Sequence, residues 1–202
     1  MERLDKTAER EIEYGLKSCL DPICFLEKFI RLQTEEGYIP LKAEKYQKEV
    51  LRDISRFRAV NKSKKIGMST IFAGESLHSA MINTNKDLIL TSTSERMAEE
   101  LLNKIYDLIE SMPHNIQPYG IEKRKEKRRA EILQLSNRSR IFSLPSSPST
   151  VRGYGMRGQT DVYLDEFAHV AEDTEMWTVV RDFSILGGRQ TMFSTPMGKR
   201  GK

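Results

Sequence analysis

The apolar residues of this chain recur at helical spacing in some segments and form short continuous runs in others. Residues 1–36 alternate charged and apolar positions, which predicts one long helix or two short helices interrupted near Pro22. The apolar stripe of this segment consists of Leu16, Leu20, Ile23, Leu26, Phe29 and Ile30. After a break at Gly37 and Pro40, residues 42–56 have the spacing of another helix. Its predicted apolar face carries Tyr46, Val50, Leu51 and Ile54.

Short apolar runs alternate with longer periodic segments over the rest of the chain. The runs of strand length are residues 57–61, 87–91, 161–164 and 190–193. One helix is predicted from near Gly67 through Ala80. Another follows Ser92-Thr93-Ser94, which can cap a helix with Glu95 in its first turn, and ends before Pro113. Its stripe consists of Met97, Leu101, Leu102, Ile105, Leu108, Ile109 and Met112. Strands that alternate with helices favour a mostly parallel sheet with helices on both faces.

Residues 131–135 and 140–144 flank the turn sequence Ser136-Asn137-Arg138-Ser139, which predicts an antiparallel hairpin. We therefore expect an α/β domain over residues 41–202, preceded by a helical cap over residues 1–40. The chain has 202 residues, of which 38% are hydrophobic and 31% charged, as is typical of one globular domain with a small appendage. No apolar run approaches the roughly 20 residues of a membrane span. The first residues also lack the apolar stretch of a secretory signal, so we expect an intracellular protein.

The charge pattern is mildly favourable for contact with nucleic acid. The net charge is +4, and residues 122–129 hold six basic and two acidic residues. That segment is either a solvated surface or a nucleic-acid contact, and it has no aromatic residue on which a base could stack. Cys19 and Cys24 lack a second cysteine pair or a nearby histidine, so we expect reduced core cysteines rather than a zinc site.

Residues 62–70 are similar to a phosphate-binding loop whose lysine has moved. In the pattern G-x-x-x-x-G-K-[ST], backbone N–H groups surround phosphates, the lysine meets the outer phosphates and the hydroxyl binds Mg²⁺. Gly67 and Ser69 occupy the second glycine and the hydroxyl positions. Met68 stands at the lysine position and cannot neutralise a phosphate, whereas Lys62 stands at the first glycine. A basic helix start on any globular protein would have a similar sequence.

Two acidic residues, Asp165 and Glu166, end an apolar run about 100 residues after this loop. In a nucleotide-hydrolysing site the first carboxylate of such a pair anchors Mg²⁺ and the second polarises the attacking water. The carboxyl end of a strand suits both roles, because it faces the ligand crevice of a parallel sheet. An ordinary surface Asp-Glu pair is the alternative.

Three further segments carry weaker signals. Ser194 and Thr195 end an apolar run before Pro196, where they can sense a γ-phosphate or simply begin a turn. Arg152 follows a polar loop and is our first choice for an arginine that stabilises the charge of the transition state; Arg157 is the second. A surface ion pair is the alternative for either arginine. The Tyr46-Gln47 pair precedes the loop, and a glutamine amide can both donate to and accept from an adenine edge.

In this order the motifs resemble the ATPase domain of the large terminase subunit of tailed viruses, the motor that packages DNA into procapsids. The matching pieces are Tyr46-Gln47, residues 62–69, the strand and turn at 88–94, the hairpin with Leu144-Pro145, Arg152-Gly153, Asp165-Glu166-Phe167-Ala168 and Ser194-Thr195-Pro196. Some members of that family also carry a displaced lysine at the start of the loop. The resemblance implies a RecA-like (ASCE) P-loop NTPase fold.

The resemblance also implies roles for individual residues. Gln47 would contact adenine, Lys62 the phosphates, and Glu166 would activate water. Ser194 and Thr195 would couple hydrolysis to movement. ATP would lie on the loop residues Lys62, Lys64, Lys65, Gly67, Met68, Ser69 and Thr70, and Mg²⁺ would be bound by Ser69 and Asp165. Lys64 and Lys65 stand where many members have an arginine and a glutamine, so the choice among the lysines stays open. Arg152 would be the arginine finger, which some members supply from a neighbouring subunit.

For the whole molecule, the resemblance implies ATP-dependent movement of double-stranded DNA in the cytoplasm of an infected host cell. The implied partners are the portal or procapsid, the small terminase subunit and further copies of the chain in a ring. The isolated chain is expected to be a monomer, and no membrane partner is implied. Family members continue into a nuclease domain, whereas this chain stops six residues after Pro196. We therefore expect no nuclease activity. A helicase-like P-loop translocase and a non-catalytic nucleic-acid-binding assembly module are the alternatives.

Overall fold

The computed structural model describes residues 15, 20–118, 122–125, 131–155, 159–185 and 187–198. Six helices have both ends in these residues: α1 (Pro22–Phe29), α2 (Lys45–Arg52), α3 (Met68–Ile82), α4 (Glu95–Ser111), α5 (Pro148–Val151) and α6 (Asp173–Ile185). Gly15 and Leu20 are also helical. A short 3₁₀ turn covers Phe167–His169. Leu16, Cys19, Arg157 and residues 126–129, which enter the predictions above, lie outside the described residues.

The described strands are β1 (Arg31–Thr34), β2 (Gly37–Pro40), β3 (Phe57–Asn61), β4 (Asp87–Ser92), β5 (Glu122–Lys125), β6 (Glu131–Gln134), β7 (Arg140–Pro145), β8 (Thr160–Asp165) and β9 (Gln190–Ser194). Seven of them form one sheet in the order β3-β9-β8-β4-β7-β6-β5, and β1 pairs with β2 in a separate hairpin. The first five strands in this order run parallel to one another. The next strand, β6, is antiparallel to both of its neighbours, β7 and β5. The carboxyl ends of five strands therefore meet at one edge.

Helices cover both faces of this sheet, as the alternation of elements predicts. Leu88 and Leu90 of β4 join Tyr163 of β8 in a core cluster with α1, α3 and α4. Ile89 and Val162, which point the other way, join a second cluster with α5 and α6. Buried residues occur on all sides of α3, because this helix lies between the sheet and its neighbouring helices.

Several predicted elements are confirmed nearly residue for residue. The predicted strands at 57–61, 87–91, 161–164 and 190–193 are observed with at most one additional residue at an end. The hairpin of β6 and β7 and the two long helices α3 and α4 are also confirmed. The Ser94 side chain caps α4 by accepting the Met97 N–H.

The helical prediction for the first 36 residues is wrong over its last part. Arg31–Thr34 pairs with Gly37–Pro40 in the antiparallel hairpin, and Gly37 adopts the positive φ of 112° that its turn requires. The predicted interruption near Pro22 is confirmed, because Leu20 is helical, Asp21 is not, and Pro22 begins α1. The Asp21 carboxylate accepts the N–H groups of Ile23 and Cys24 and fixes this start.

The predicted helix over residues 42–56 is shorter than expected. It begins after Glu44, where a capping box with Gln47 forms, and ends at Arg52. Ile54, which was expected on the apolar face, lies beyond this end and is 86% exposed. No helix among the described residues is both long enough and apolar enough to cross a bilayer.

Candidate active site

The loop between β3 and α3 is held open by two side chains from α2. The Tyr46 hydroxyl and the Gln47 side-chain amide both donate to the Ile66 carbonyl, each at 2.9 Å. The loop then turns at Gly67, whose φ of 74° favours glycine, and α3 begins at the next residue. A Cβ on Gly67 would also approach the Gln47 amide to 3.1 Å. The N–H groups at the start of α3 therefore face the sheet edge, as an anion site requires.

Lys62 connects this loop to the two acidic residues at the end of β8. Its ammonium Nζ lies 2.6 Å from Glu166 Oε1 and 3.4 Å from Asp165 Oδ1. The Lys62 side chain is only 9% exposed, whereas Lys64 and Lys65 are exposed on the loop surface. The Lys62 backbone N–H donates to the Ser194 carbonyl, which extends the β3–β9 pairing to the start of the loop. Of the three loop lysines, Lys62 is therefore the one oriented across the site.

Asp165 is a buried carboxylate whose two oxygens have different surroundings. The Ser69 hydroxyl donates to Oδ2 at 3.2 Å, and Oδ1 accepts no hydrogen bond from any described residue. Burial raises the pKa of Asp165, although the positive charge of Lys62 acts in the opposite direction. Asp165 Oδ1 is thus a buried oxygen that can still accept a hydrogen bond or bind a cation.

Glu166 is held by contacts from three sides. Its backbone adopts a left-handed conformation with φ of 53°, which is costly for a residue other than glycine. Thr195 donates to Oε2 through its backbone N–H at 3.1 Å and its hydroxyl at 2.9 Å. Burial raises the pKa of Glu166, but the hydrogen bonds from Lys62 and Thr195 outweigh this effect and lower it to about 2. Glu166 is therefore firmly ionised in this arrangement.

The end of β9 also anchors the 3₁₀ turn that follows Glu166. The Ala168 N–H donates to the Ser194 hydroxyl at 3.1 Å, and the His169 Nε2 lies 3.1 Å from Thr195 Oγ1. Ser194 and Thr195 thus contact both the acidic pair and the turn after it. A displacement of β9 would therefore move the hydrogen-bond donors of the Glu166 carboxylate.

Oxygen atoms at the carboxyl ends of β8 and β4 are suited to bind a divalent cation. Asp165 Oδ1 is a buried oxygen that lacks a hydrogen-bond partner among the described residues, and Ser92 Oγ is another. Ser92 follows Thr91, which pairs with Leu164, so Ser92 and Asp165 are neighbours on adjacent strands with side chains on one face. Carboxylate and hydroxyl oxygens are ligands that Mg²⁺ accepts, directly or through water.

Two adjoining cavities leave room for a ligand at this edge. One of about 180 Å³ lies over the start of α3, and one of about 420 Å³ lies between the loop and Pro196; Lys62 and Ser63 line both. A separate cavity of about 390 Å³ lies at the opposite edge of the sheet, against Arg56, Lys86 and Arg189. The loop is therefore not closed by side chains.

Comparison with known proteins identifies the family. The family model for the large terminase subunit, T4likevirus-type, N-terminal, matches residues 60–200. This chain belongs to that family.

Solved terminase structures share the fold of this family member. The ATPase domain of the Thermus phage P74-26 large terminase is 18% identical with a TM-score of 0.63, and the match covers 79% of this chain and 67% of that domain. The HK97 bacteriophage large terminase is 14% identical with a TM-score of 0.67, over 88% of this chain and 37% of that protein. The large terminase of a thermophilic bacteriophage is 12% identical with a TM-score of 0.53, over 77% of this chain and 40% of that protein. This chain therefore spans less than half of each of the last two proteins. The RecA-like fold implied by the sequence is thus confirmed.

The structure of this terminase-family chain brings together most of the predicted site residues. Lys62, Ser69, Asp165 and Glu166 are linked by direct contacts, and Ser194 and Thr195 adjoin them. Thr70 lines the smaller cavity next to Ser69. The Met68 side chain is buried in the core, so only its backbone can face a ligand.

Two other predicted residues have different surroundings. Gln47 lies beneath the loop, where its Oε1 accepts the Glu44 N–H and its amide nitrogen binds the loop carbonyl. Arg152 is exposed at the end of α5, which follows β7. The strand that precedes α5, β7, is four strands from β3 but only two strands from β8, which ends at Asp165. Arg152 lines neither of the cavities at the loop.

Sequence reasoning missed two residues at this site. Lys104 of α4 is half-buried and lines the smaller cavity together with Lys62 and Lys65. His169 reaches Thr195 from the turn after Glu166. Nothing in the spacing of Lys104 distinguishes it from other lysines on the polar face of a helix. His169 is three residues from Glu166, but its contact depends on the 3₁₀ turn, which no pattern in the sequence indicates.

Proposed function

We propose that this chain is the ATP-hydrolysing motor domain of a viral large terminase. It drives double-stranded DNA into a procapsid in the cytoplasm of the infected cell. The observation that carries this proposal is the contact of Lys62 with Asp165 and Glu166 across the open loop, with Ser69 bonded to Asp165. A phosphoryl-transfer site needs a cation for the phosphates, ligands for Mg²⁺ and a carboxylate for the attacking water close to one another.

Lys62 binds the outer phosphates of ATP in this proposal. One ammonium group cannot pair fully with two carboxylates and a triphosphate, so Lys62 turns from Glu166 toward the phosphate oxygens. The N–H groups at the start of α3 bind the same oxygens from the other side. Lys64, Lys65 and Lys104 surround the loop and add positive charge at longer range.

Asp165 and Ser69 are the residues that would hold Mg²⁺. The ion supplies neutralisation of the charge that develops on the transferred phosphoryl group. The buried Oδ1 of Asp165 supports this assignment, because its nearest cation is Lys62 at 3.4 Å, and Lys62 turns toward the phosphates in this proposal.

Glu166 orients the attacking water and takes up its proton. A carboxylate with a pKa of about 2 is a weak proton acceptor near neutral pH. Departure of Lys62 from Glu166 removes a cause of this low pKa and makes the carboxylate more basic. Glu166 therefore becomes a better proton acceptor once bound nucleotide draws Lys62 away from it.

Arg152 acts from a neighbouring subunit in this proposal. Arg152 is exposed and lines neither cavity at the loop, which supports supply in trans, as in a ring of identical subunits. The remaining proposed partners are the portal or procapsid and the small terminase subunit. Family membership favours this interpretation over a helicase-like translocase.

The replacement Glu166→Gln tests the proposed function. It keeps the size of the side chain and removes its ability to accept a proton, so hydrolysis should fall by about 10²-fold or more. Binding of Mg²⁺ and an ATP analogue, measured by calorimetric titration, should stay within about threefold. Glu172→Gln, at an exposed glutamate six residues along the chain, is the matched control and should change neither quantity. Unchanged turnover in Glu166→Gln would refute the assignment of Glu166. Absence of any Mg²⁺-dependent nucleotide binding by the unaltered chain would instead favour a non-catalytic assembly module.

A further inference from the structure

We propose that His169 is a positioning residue for Glu166 and that it acts through the Thr195 hydroxyl. His169 is the last residue of the 3₁₀ turn after Glu166. Its Nε2 lies 3.1 Å from Thr195 Oγ1, which lies 2.9 Å from Glu166 Oε2. The direct distance from Nε2 to Oε2 is 3.7 Å, so the Thr195 hydroxyl is the link between them.

The single proton of the Thr195 hydroxyl decides how this link works. A hydroxyl donates one hydrogen bond and accepts others, and an ionised carboxylate only accepts. If Thr195 donates to Glu166, the imidazole must donate its Nε2–H to Thr195. If Nε2 were unprotonated, it would compete for the hydroxyl proton, and Glu166 would lose a hydrogen bond. A protonated Nε2 on His169 therefore directs the Thr195 hydroxyl toward Glu166.

The position of the imidazole is set by the turn itself. The His169 N–H donates to the Glu166 carbonyl at 2.8 Å, and the Ala168 N–H donates to the Ser194 hydroxyl. These bonds place the ring beside β9 and close the turn directly behind Glu166. The left-handed backbone of Glu166 persists only where its surroundings hold it. His169 thus links the 3₁₀ turn after Glu166 to the end of β9, and the relative position of these two segments fixes the Glu166 carboxylate.

The expected kinetic effect separates this role from nucleotide binding. His169 lines neither cavity at the phosphate loop. Loss of its hydrogen bond should therefore lower kcat and leave the KM for ATP nearly unchanged. This inference rests on the proposed function, in which Glu166 orients the attacking water.

The test compares two replacements of His169. In His169→Gln the side-chain amide can present an N–H near the position of Nε2, whereas His169→Leu has a similar volume and no donor. We expect His169→Leu to lower kcat about tenfold, as for the loss of one hydrogen bond, with KM within about twofold. His169→Gln should stay within about threefold of the unaltered chain. The matched control is His114→Leu at an exposed histidine, which should have no effect.

A double-mutant cycle with Thr195→Val tests the route of the effect. If His169 acts through the hydroxyl, His169→Leu should change kcat no further in the Thr195→Val background. The same cycle is measured by thermal unfolding of the nucleotide-free protein, where the Tm loss caused by His169→Leu should also vanish in that background. Equal kcat values for the Gln and Leu variants, a change confined to KM, or additive effects in either cycle would overturn the proposal.

The unfolding cycle also separates this proposal from the proposed function. A chain that hydrolyses no ATP would refute the motor assignment and, with it, any catalytic effect of His169. The coupling between His169 and Thr195 in the nucleotide-free protein would still be measured. Additive Tm changes in an active chain would refute the role of His169 alone.

Discussion

At the scale of single residues, the Lys62–Glu166 ion pair organises the site. It joins the loop after β3 to the carboxylate after β8 at 2.6 Å, and both side chains are largely buried. A buried charge is costly when its partner is removed, so each residue depends on the other in the nucleotide-free protein. The same pair explains why a displaced lysine can serve this loop, because Lys62 at its first position reaches the centre of the site.

We predict that Lys62→Ala weakens nucleotide affinity more than Lys64→Ala does. Lys62 is directed across the site, whereas Lys64 is exposed to solvent on the loop and its charge is screened. The expected loss is about tenfold or more for Lys62→Ala, against about twofold for Lys64→Ala. Titration with a non-hydrolysable ATP analogue in Mg²⁺ measures both affinities. Equal or reversed effects would exclude Lys62 as the main phosphate lysine.

The low pKa of Glu166 predicts a pH dependence of stability. The folded value of about 2 lies below the ordinary 4.5, so the stabilisation is fully present above about pH 4.5 and disappears as the pH falls through about 2. We expect the unaltered chain to exceed Glu166→Gln in free energy of unfolding at pH 6. This difference should shrink as the pH falls below about 4.5. Urea unfolding between pH 2 and pH 6 measures it, and Glu172→Gln serves as the exposed control. A difference independent of pH would show that Glu166 is not stabilised as an anion.

At the scale of elements, a buried charge network connects β3, α3 and β9 beneath the loop. Arg58 of β3 is 2% exposed and pairs with Glu75 of α3 at 2.7 Å. Its guanidinium also donates to the Thr191 hydroxyl of β9, and Arg189 contacts the other Glu75 oxygen at 3.2 Å. Burial lowers the pKa of Arg58, but the charge of Glu75 outweighs this and raises it. Lys62 follows β3, Ser69 lies in α3 and Thr195 follows β9, so this network ties together the three elements that position these residues.

We predict that Arg58→Ala destabilises the domain by about 3–5 kcal/mol. The replacement leaves Glu75 as a buried carboxylate with only the partly exposed Arg189 as its partner. Chemical denaturation of the nucleotide-free protein measures this loss. Arg56→Ala, at an exposed arginine two residues earlier, should change the free energy of unfolding by no more than about 0.5 kcal/mol. A loss below about 1 kcal/mol in Arg58→Ala would show that the network does not hold these elements together.

At the scale of the whole molecule, Arg152 is exposed and lines neither cavity at the loop after β3. A ring would bring Arg152 of one subunit to the nucleotide of its neighbour. This arrangement predicts complementation between two inactive variants. Glu166→Gln lacks its own water-activating group, and Arg152→Ala lacks the arginine that it would supply to a neighbour.

We expect a mixture of Glu166→Gln and Arg152→Ala to hydrolyse ATP faster than either variant alone. In the mixture, an intact Glu166 in one subunit can meet an intact Arg152 from another. Specific activity should also rise with the concentration of the unaltered chain. A steady-state phosphate-release assay over a range of concentrations and mixing ratios measures both. Turnover in the mixture that merely equals the average of the two variants would argue for an arginine in cis, or for a different arginine.

Local patterns predicted the parallel strands because these segments have the length of a strand and are too short for a helix of usual length. The α4 helix was predicted equally well, since its stripe is long and its Ser94 cap is local. The hairpin of β1 and β2 was missed because Leu32 is compatible with either period, and pairing with Ile39 decides the matter. Ser69, Asp165 and Glu166 belong to motifs from which the sequence predicted a shared site, and the structure brings these side chains together. His169 and Lys104 have no motif.

The order of motifs along the chain by itself determined the family and the types of group at the site, because spacing and residue chemistry are properties of sequence. Only the tertiary structure decided which lysine faces the carboxylates, since three lysines lie within four positions and differ only in direction. It alone also decided that Gln47 lies under the loop, that Arg152 lines neither cavity at the loop, and that His169 reaches Thr195. Each of these depends on how distant segments meet at one sheet edge, and local propensity carries no information about that.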